Sequence, residues 1–187
     1  MGADRGGRLA VYKLPVDSGL HERTRIFKRP FAGVHPGCRG TGRKGICILC
    51  AQGRKREFLA DPKFLAYKGF KTADISDCGI SLMYLPLVPD AEPPKFKDCA
   101  RHPKVNEGGF VLYYTDQCPF TCYWVPRVQE AAREHGIELK AIHITDKEAA
   151  QSVPAPVTTY ALFRDGRFLT QGIQSDKKFL ALAGISN

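Results

Sequence analysis

The 187-residue sequence has no run approaching the ~18–20 consecutive apolar residues that a membrane helix needs. Its first thirty residues carry Arg5, Arg8, Lys13, Arg23, Arg25, Lys28 and Arg29 and lack the apolar stretch of a secretory signal. A cytosolic protein without a membrane partner is therefore expected. No repeat of fixed period and no low-complexity tract is present, which excludes a solenoid or an array. The seven cysteines are an odd number, and without a signal they argue for reduced thiols rather than a disulfide scaffold. No His-Asp or Ser-His constellation for hydrolysis stands out. What is there is ordinary: 43% hydrophobic and 25% charged residues, a composition that excludes wholesale disorder.

The net charge of +9 is unevenly placed. Residues 1–56 hold thirteen Lys or Arg against Asp4, Asp17 and Glu22, a net of +10, and the remaining 131 residues carry −1. A basic head can neutralise phosphates. This one has neither interleaved aromatics nor a helical period, so nucleic acid is not the expected partner. Residues 1–41 are a poorly specified basic segment in which Leu9-Ala10-Val11-Tyr12 is the one candidate strand.

From Gly45 the pattern becomes orderly. The apolar run Gly45–Ala51 predicts a strand buried on both faces. Asp61 before Pro62 predicts a helix start, and Gly69 its end after Lys68. A strand ending in Ile80–Leu85 is closed by Pro86, so the zone 42–88 reads strand, helix, strand. Residues 89–107, with Pro89, Pro93, Pro94 and Pro103, read as a linker. Cys47-Ile48-Leu49-Cys50 has the spacing of half a zinc site, but residues three apart on a strand point to opposite faces. Buried thiols are the expectation there, and no metal.

The zone 108–187 has its own punctuation. Phe110–Tyr114 is a strand, Pro119–His135 a helix stopped by Gly136, and Ile137–Ile144 an alternating strand. Asp146 caps a short helix. Runs over 158–163 and 167–170 flank Arg164-Asp165-Gly166, a hairpin signal, and Ser175 caps a last helix. The order is β-α-β-α-β-β-α, and the fold class of the whole chain is α/β (α+β). His143, in an apolar strand, reads as a hydrogen-bonded or edge histidine rather than a ligand.

Cys118 directly follows the first of these strands and directly precedes Pro119 at the first helical position. Unpaired N–H groups and the helix dipole at such a position favour a thiolate, the nucleophilic form. Cys122 lies one helical turn further on, so a disulfide to Cys118 is an alternative. A packed thiol without chemistry is the other reading.

The element order, Cys118-Pro119-Phe120-Thr121 at the strand-helix junction and Pro126 in the helix resemble a thioredoxin fold. The resemblance places Thr121 where the resolving thiol of C-x-x-C stands and makes Pro156 the candidate for the cis-proline opposite the nucleophile. Cys118, Thr121, Cys122 and Pro156 are the candidate catalytic positions that follow.

The run Phe58–Phe70 and the strand to Leu87 resemble the C-terminal part of GNAT acetyltransferases. Together with the Cys-Pro-Phe-Thr module this is similar to YoaP-like proteins, GNAT-related N-acetyltransferases carrying a YoaP-like domain, over roughly 42–187. The resemblance implies acetyl-CoA as donor and a small-molecule or other amine as acceptor. It makes Arg39, Gly40 and Gly42 the candidate cofactor-binding residues, since that family holds the pyrophosphate on R-x-x-G-x-G/A at a helix start. The sixth position is here Lys44, a buried-strand run begins at once, and Leu65 stands where the family often has a tyrosine acid. A partial sheet, with the N-terminal half of the domain lost and transfer impaired, is expected, and so is a homo-oligomer through its exposed edge. Two alternatives stand beside acetyl transfer: thiol redox or thiol binding through Cys118, and a non-catalytic partner-binding module.

Overall fold

The computed structural model describes residues 10–11, 44–53 and 56–185. The chain is α/β, and two compact units divide it: one comprises 1–55, 60–74 and 81–95, the other 56–59, 75–80 and 96–187.

In the first unit a four-stranded sheet has the order β1-β2-β4-β3, with β1 at Ala10–Val11, β2 at Gly45–Ala51, β3 at Lys71–Ser76 and β4 at Ile80–Pro86. β1 runs parallel to β2, Ala10 opposite Ile46. Side chains alternate across a strand, so Ile46, Ile48 and Cys50 share one face, packed with Leu65, Phe70 and Met83. Cys47 is buried on the other face, and burial pushes its thiol up to about 11. A Cβ at Gly45 would enter the ring of Tyr84, so glycine is what lets strand and ring close on each other. Helix α1, Pro62–Tyr67, starts where Asp61 accepts from the N–H groups of Lys63 and Phe64 at 2.8 and 3.1 Å. It ends at Gly69, whose φ of 87° is left-handed.

Two expectations need correction. The zone read as strand, helix, strand contains β3 as well, followed by the short turn 77–79. Lys-Thr-Ala-Asp-Ile-Ser is mostly polar because β3 is an edge strand that is largely exposed, so no apolar period announced it. The stretch 89–107 is also not all linker: α2, Asp98–Arg101, lies within it and Val105 is buried. Its backbone is tied down by Ser76, whose hydroxyl donates to Ala100 O at 2.7 Å, and by Lys104 bridging to Arg167.

The second unit is built on a sheet of order β6-β5-β7-β8, with β5 at Phe110–Tyr114, β6 at Leu139–His143, β7 at Tyr160–Arg164 and β8 at Arg167–Thr170. β6 is parallel to β5, and β7 and β8 are antiparallel to their neighbours. The alternation of β5 and β7 splits the core. Phe110, Leu112, Tyr160 and Leu162 face α3 (Pro119–Glu134) and α5 (Asp176–Ala183), whereas Val111, Ala161 and Phe163 pack with Val105, Ile144 and Val153. On α3 the buried residues are Thr121, Val125, Val128, Ala131 and Ala132, one stripe at helical spacing, while Pro126 is exposed. The β7–β8 turn has φ of 49° at Asp165 and 83° at Gly166, the two positive values that a two-residue hairpin turn needs. Asp146 caps α4 (Lys147–Ser152) and Ser175 caps α5 through their side chains. Among the described residues no helix is long and apolar enough to cross a membrane.

Candidate functional site at the start of α3

The loop from β5 into α3 is held from inside. Thr121 is 0% exposed, and its Oγ1 lies 2.6 Å from the carbonyl oxygens of both Thr115 and Cys118. The position that resemblance gives to a resolving thiol is thus occupied by a hydroxyl fastening the loop. Cys118 is the N-cap, with extended backbone (φ −121°, ψ 126°) and no capping bond from its side chain, and its thiol is partly exposed. Nothing ties its sulfur to the helix it precedes.

Cys122 is exposed and its Sγ lies 3.6 Å from Asp116 Oδ1. Both thiols are free, so the alternative disulfide is not formed. Cys122 points to Asp116 instead. Pro156 sits half-buried in the loop before β7, and no peptide bond among the described residues is cis. The expected cis-proline is corrected: the bond before Pro156 is trans, the form X–Pro bonds favour by ~0.5–1 kcal/mol. Arg39, Gly40 and Gly42 lie outside the described residues.

Asp116 also reaches His143: Nε2 to Oδ2 is 2.9 Å, with the side chains 39% (His143) and 61% (Asp116) exposed. The His143 ring stacks on Tyr114 at 4.7 Å and 9°. Burial pushes the Tyr114 phenol up, and the charges of Asp116 and Cys122 add to it. This contact between His143 and Asp116 is one that the sequence alone did not announce. His143 is hydrogen-bonded at the sheet edge as expected, but its partner is 27 residues away. The register explains the meeting, for Tyr114 and His143 are opposite each other at the ends of two parallel strands. Asp116, two residues beyond Tyr114, then falls beside the imidazole. The signal was present in the two expected strand ends, but only their parallel pairing makes them neighbours.

Asp116 and His143 line one wall of an open cleft of about 530 Å³ at the ends of β5 and β6. Thr115, Asp116 and Gln117 come from one loop, His143 to Lys147 from the other, and Ala150 and Thr158 complete it. In open α/β sheets the crevice beyond the strand ends is the usual ligand position. Neither Cys118 nor Cys122 lines it. Among the described residues no cluster of three or more His, Cys, Asp or Glu is arranged to hold a metal ion.

The pyrophosphate cradle implied for acetyl-CoA does not fit the residues from Lys44 onward. Lys44 O accepts from Leu87 N–H at 2.9 Å and from the Tyr84 hydroxyl at 3.3 Å, and Gly45–Ala51 is strand, so no helix start stands there. At the acid position Leu65 is fully buried, and Tyr67, two residues away, is 81% exposed.

Comparison with known proteins bears on both zones. Residues 138–180 match the YoaP-like family model. The chain is 33% identical over 162 residues, 87% of its length, to a Bacillus subtilis (strain 168) protein named "Uncharacterized N-acetyltransferase YoaP". The chain spans 64% of the length of that curated relative. No solved structure matches it significantly. The YoaP-like segment thus runs from β6 through most of α5 and includes His143, Asp146, Pro156 and Thr158, while Cys118 precedes it.

Proposed function

We propose that the chain is a GNAT-related N-acetyltransferase relative, impaired in acetyl transfer by itself, that carries a thioredoxin-like YoaP domain over 108–187. The similarity to a protein named as an N-acetyltransferase, extending over 87% of the chain, carries this reading. The reaction class is transfer of an acyl group from a coenzyme A thioester to an amine. Strand Gly45–Ala51, standing where the resemblance needs a helix start, is why this chain alone is impaired. Calorimetry with acetyl-CoA tests it. No saturable heat at millimolar ligand is the expected result; saturable binding with acetylation of an amine would overturn the impairment and leave an N-acetyltransferase.

A second reading, thiol chemistry at Cys118, is favoured by its place between β5 and Pro119 in a sheet of order β6-β5-β7-β8. That order and the β-α-β-α-β-β-α succession support the thioredoxin-like description. Cys118 is the N-cap of sixteen residues of helix with its thiol partly exposed, and helix starts are where reactive cysteines are found. With iodoacetamide at neutral pH, Cys118 is expected to be alkylated several-fold faster than Cys122, measured by peptide mass spectrometry. Equal rates for the two thiols would refute it.

A further inference from the structure

We propose that the cleft between the β5–α3 and β6–α4 loops is a binding site for a small primary amine, held by Asp116 and Asp146 beside His143. Three observations meet there. The space, about 530 Å³, lies within the ~300–1,000 Å³ range of small-molecule sites. Thr115, one of its lining residues, is only 6% exposed, and its Oγ1 has no partner among the described residues, a cost that a buried hydroxyl is normally spared. The charged wall offers acceptors that the protein only half uses.

The acceptors decide the chemistry of the ligand. Asp116 spends Oδ2 on His143 at 2.9 Å, while Oδ1 meets only the weak thiol donor of Cys122 at 3.6 Å. Asp146 spends Oδ1 on the N–H of Ala149 at 2.7 Å, and its Oδ2 has a long contact of 3.5 Å with Thr145. Two carboxylate oxygens thus keep strong accepting capacity on walls with Lys147 as the one ammonium. An ammonium group supplies three donors and a positive charge, and charge-assisted bonds of this kind are the strong ones. A carboxylate ligand would instead face two like charges against one lysine. His143 adds to the fit: its Nε2 lies 2.9 Å from Asp116 Oδ2, and this contact fixes the orientation of both side chains on the wall. Tyr114, stacked beneath the imidazole, holds its plane.

This site needs no acyl donor. An amine held there has the chemistry of an acceptor under the acyl-transfer reading, and binding measured without coenzyme A keeps the two separable. The probe is putrescine, with 1,4-butanediol as the uncharged control of equal length, titrated into the full chain and followed by the ring signals of His143 and Tyr114. Saturable shifts with putrescine and none with the diol are expected. Asp116→Asn should weaken putrescine by about tenfold, the loss of one charge-assisted bond. Arg164→Ala, on a different part of the sheet, should leave it unchanged, and thermal melts of each variant show that it is folded. His143→Gln, which removes the ring but keeps an amide donor toward Asp116, should retain binding with a smaller loss than Asp116→Asn. No saturation, equal response to the diol, or indifference to Asp116→Asn would overturn the proposal.

Discussion

Phe179→Ala is expected to lower the stability of the second unit by about 3–5 kcal/mol, the usual cost of removing a buried aromatic ring and leaving its cavity. Phe179 is fully buried on α5, its ring 5.0 Å from that of Phe110 at 61°, an edge-to-face contact that adds to area burial. Leu112, Val125, Val128 and Leu162 pack in the same cluster, so the cavity cannot be filled without moving both helix and sheet. Urea denaturation followed by fluorescence of Trp124, the single tryptophan, reads this unit. Leu169→Ala, at a residue 40% exposed, is the control and should change stability by less than about 0.5 kcal/mol. A loss below about 1 kcal/mol for Phe179→Ala would mean that α5 does not close this core.

Thr121→Val should cost about 1–3 kcal/mol, although it replaces one side chain by another of nearly the same shape. The hydroxyl is buried and bonds within the β5–α3 loop; Cys118 O keeps the residue-121 N–H at 2.9 Å, but valine leaves the carbonyl of Thr115 short of its hydroxyl donor. Among the described residues the Thr115 hydroxyl already has no partner there, so the loop has little polar compensation left. Hydrogen exchange over residues 115–118 should accelerate with the loss of stability, whereas Thr121→Ser should restore most of it. Unchanged exchange in Thr121→Val would show that the loop does not depend on this hydroxyl. Because Cys118 lies in the same loop, its alkylation should also lose selectivity in the valine variant.

Much of the described chain was legible from sequence because its signals are local. A capping side chain, a proline at the first helical position and a glycine after the last turn act within a few residues, so Asp61, Asp146, Ser175, Gly69 and Gly136 mark their helices correctly. Asp165-Gly166 likewise specified its turn through a backbone requirement. β3 was hidden for the opposite reason: an edge strand with a polar, exposed face needs no apolar period, and only pairing in the sheet makes Lys71–Ser76 extended. The helical turn at 98–101 escaped notice between prolines because its backbone is tied to Ser76 and Asp77, more than twenty residues earlier.

At the site the division is similar. Sequence order alone put Cys118 at a helix start and made Thr121 its neighbour one turn on, since both follow from chain position and helical spacing. It could not tell that Thr121 turns inward and fastens two carbonyls, or that Cys122 meets a carboxylate rather than a second sulfur. It could not bring Asp116 to His143 either. That pair exists because β5 and β6 run in the same direction with Tyr114 opposite His143, and the choice between parallel and antiparallel neighbours is made by the crossover through α3 and the burial of both sheet faces, not by residues near either end.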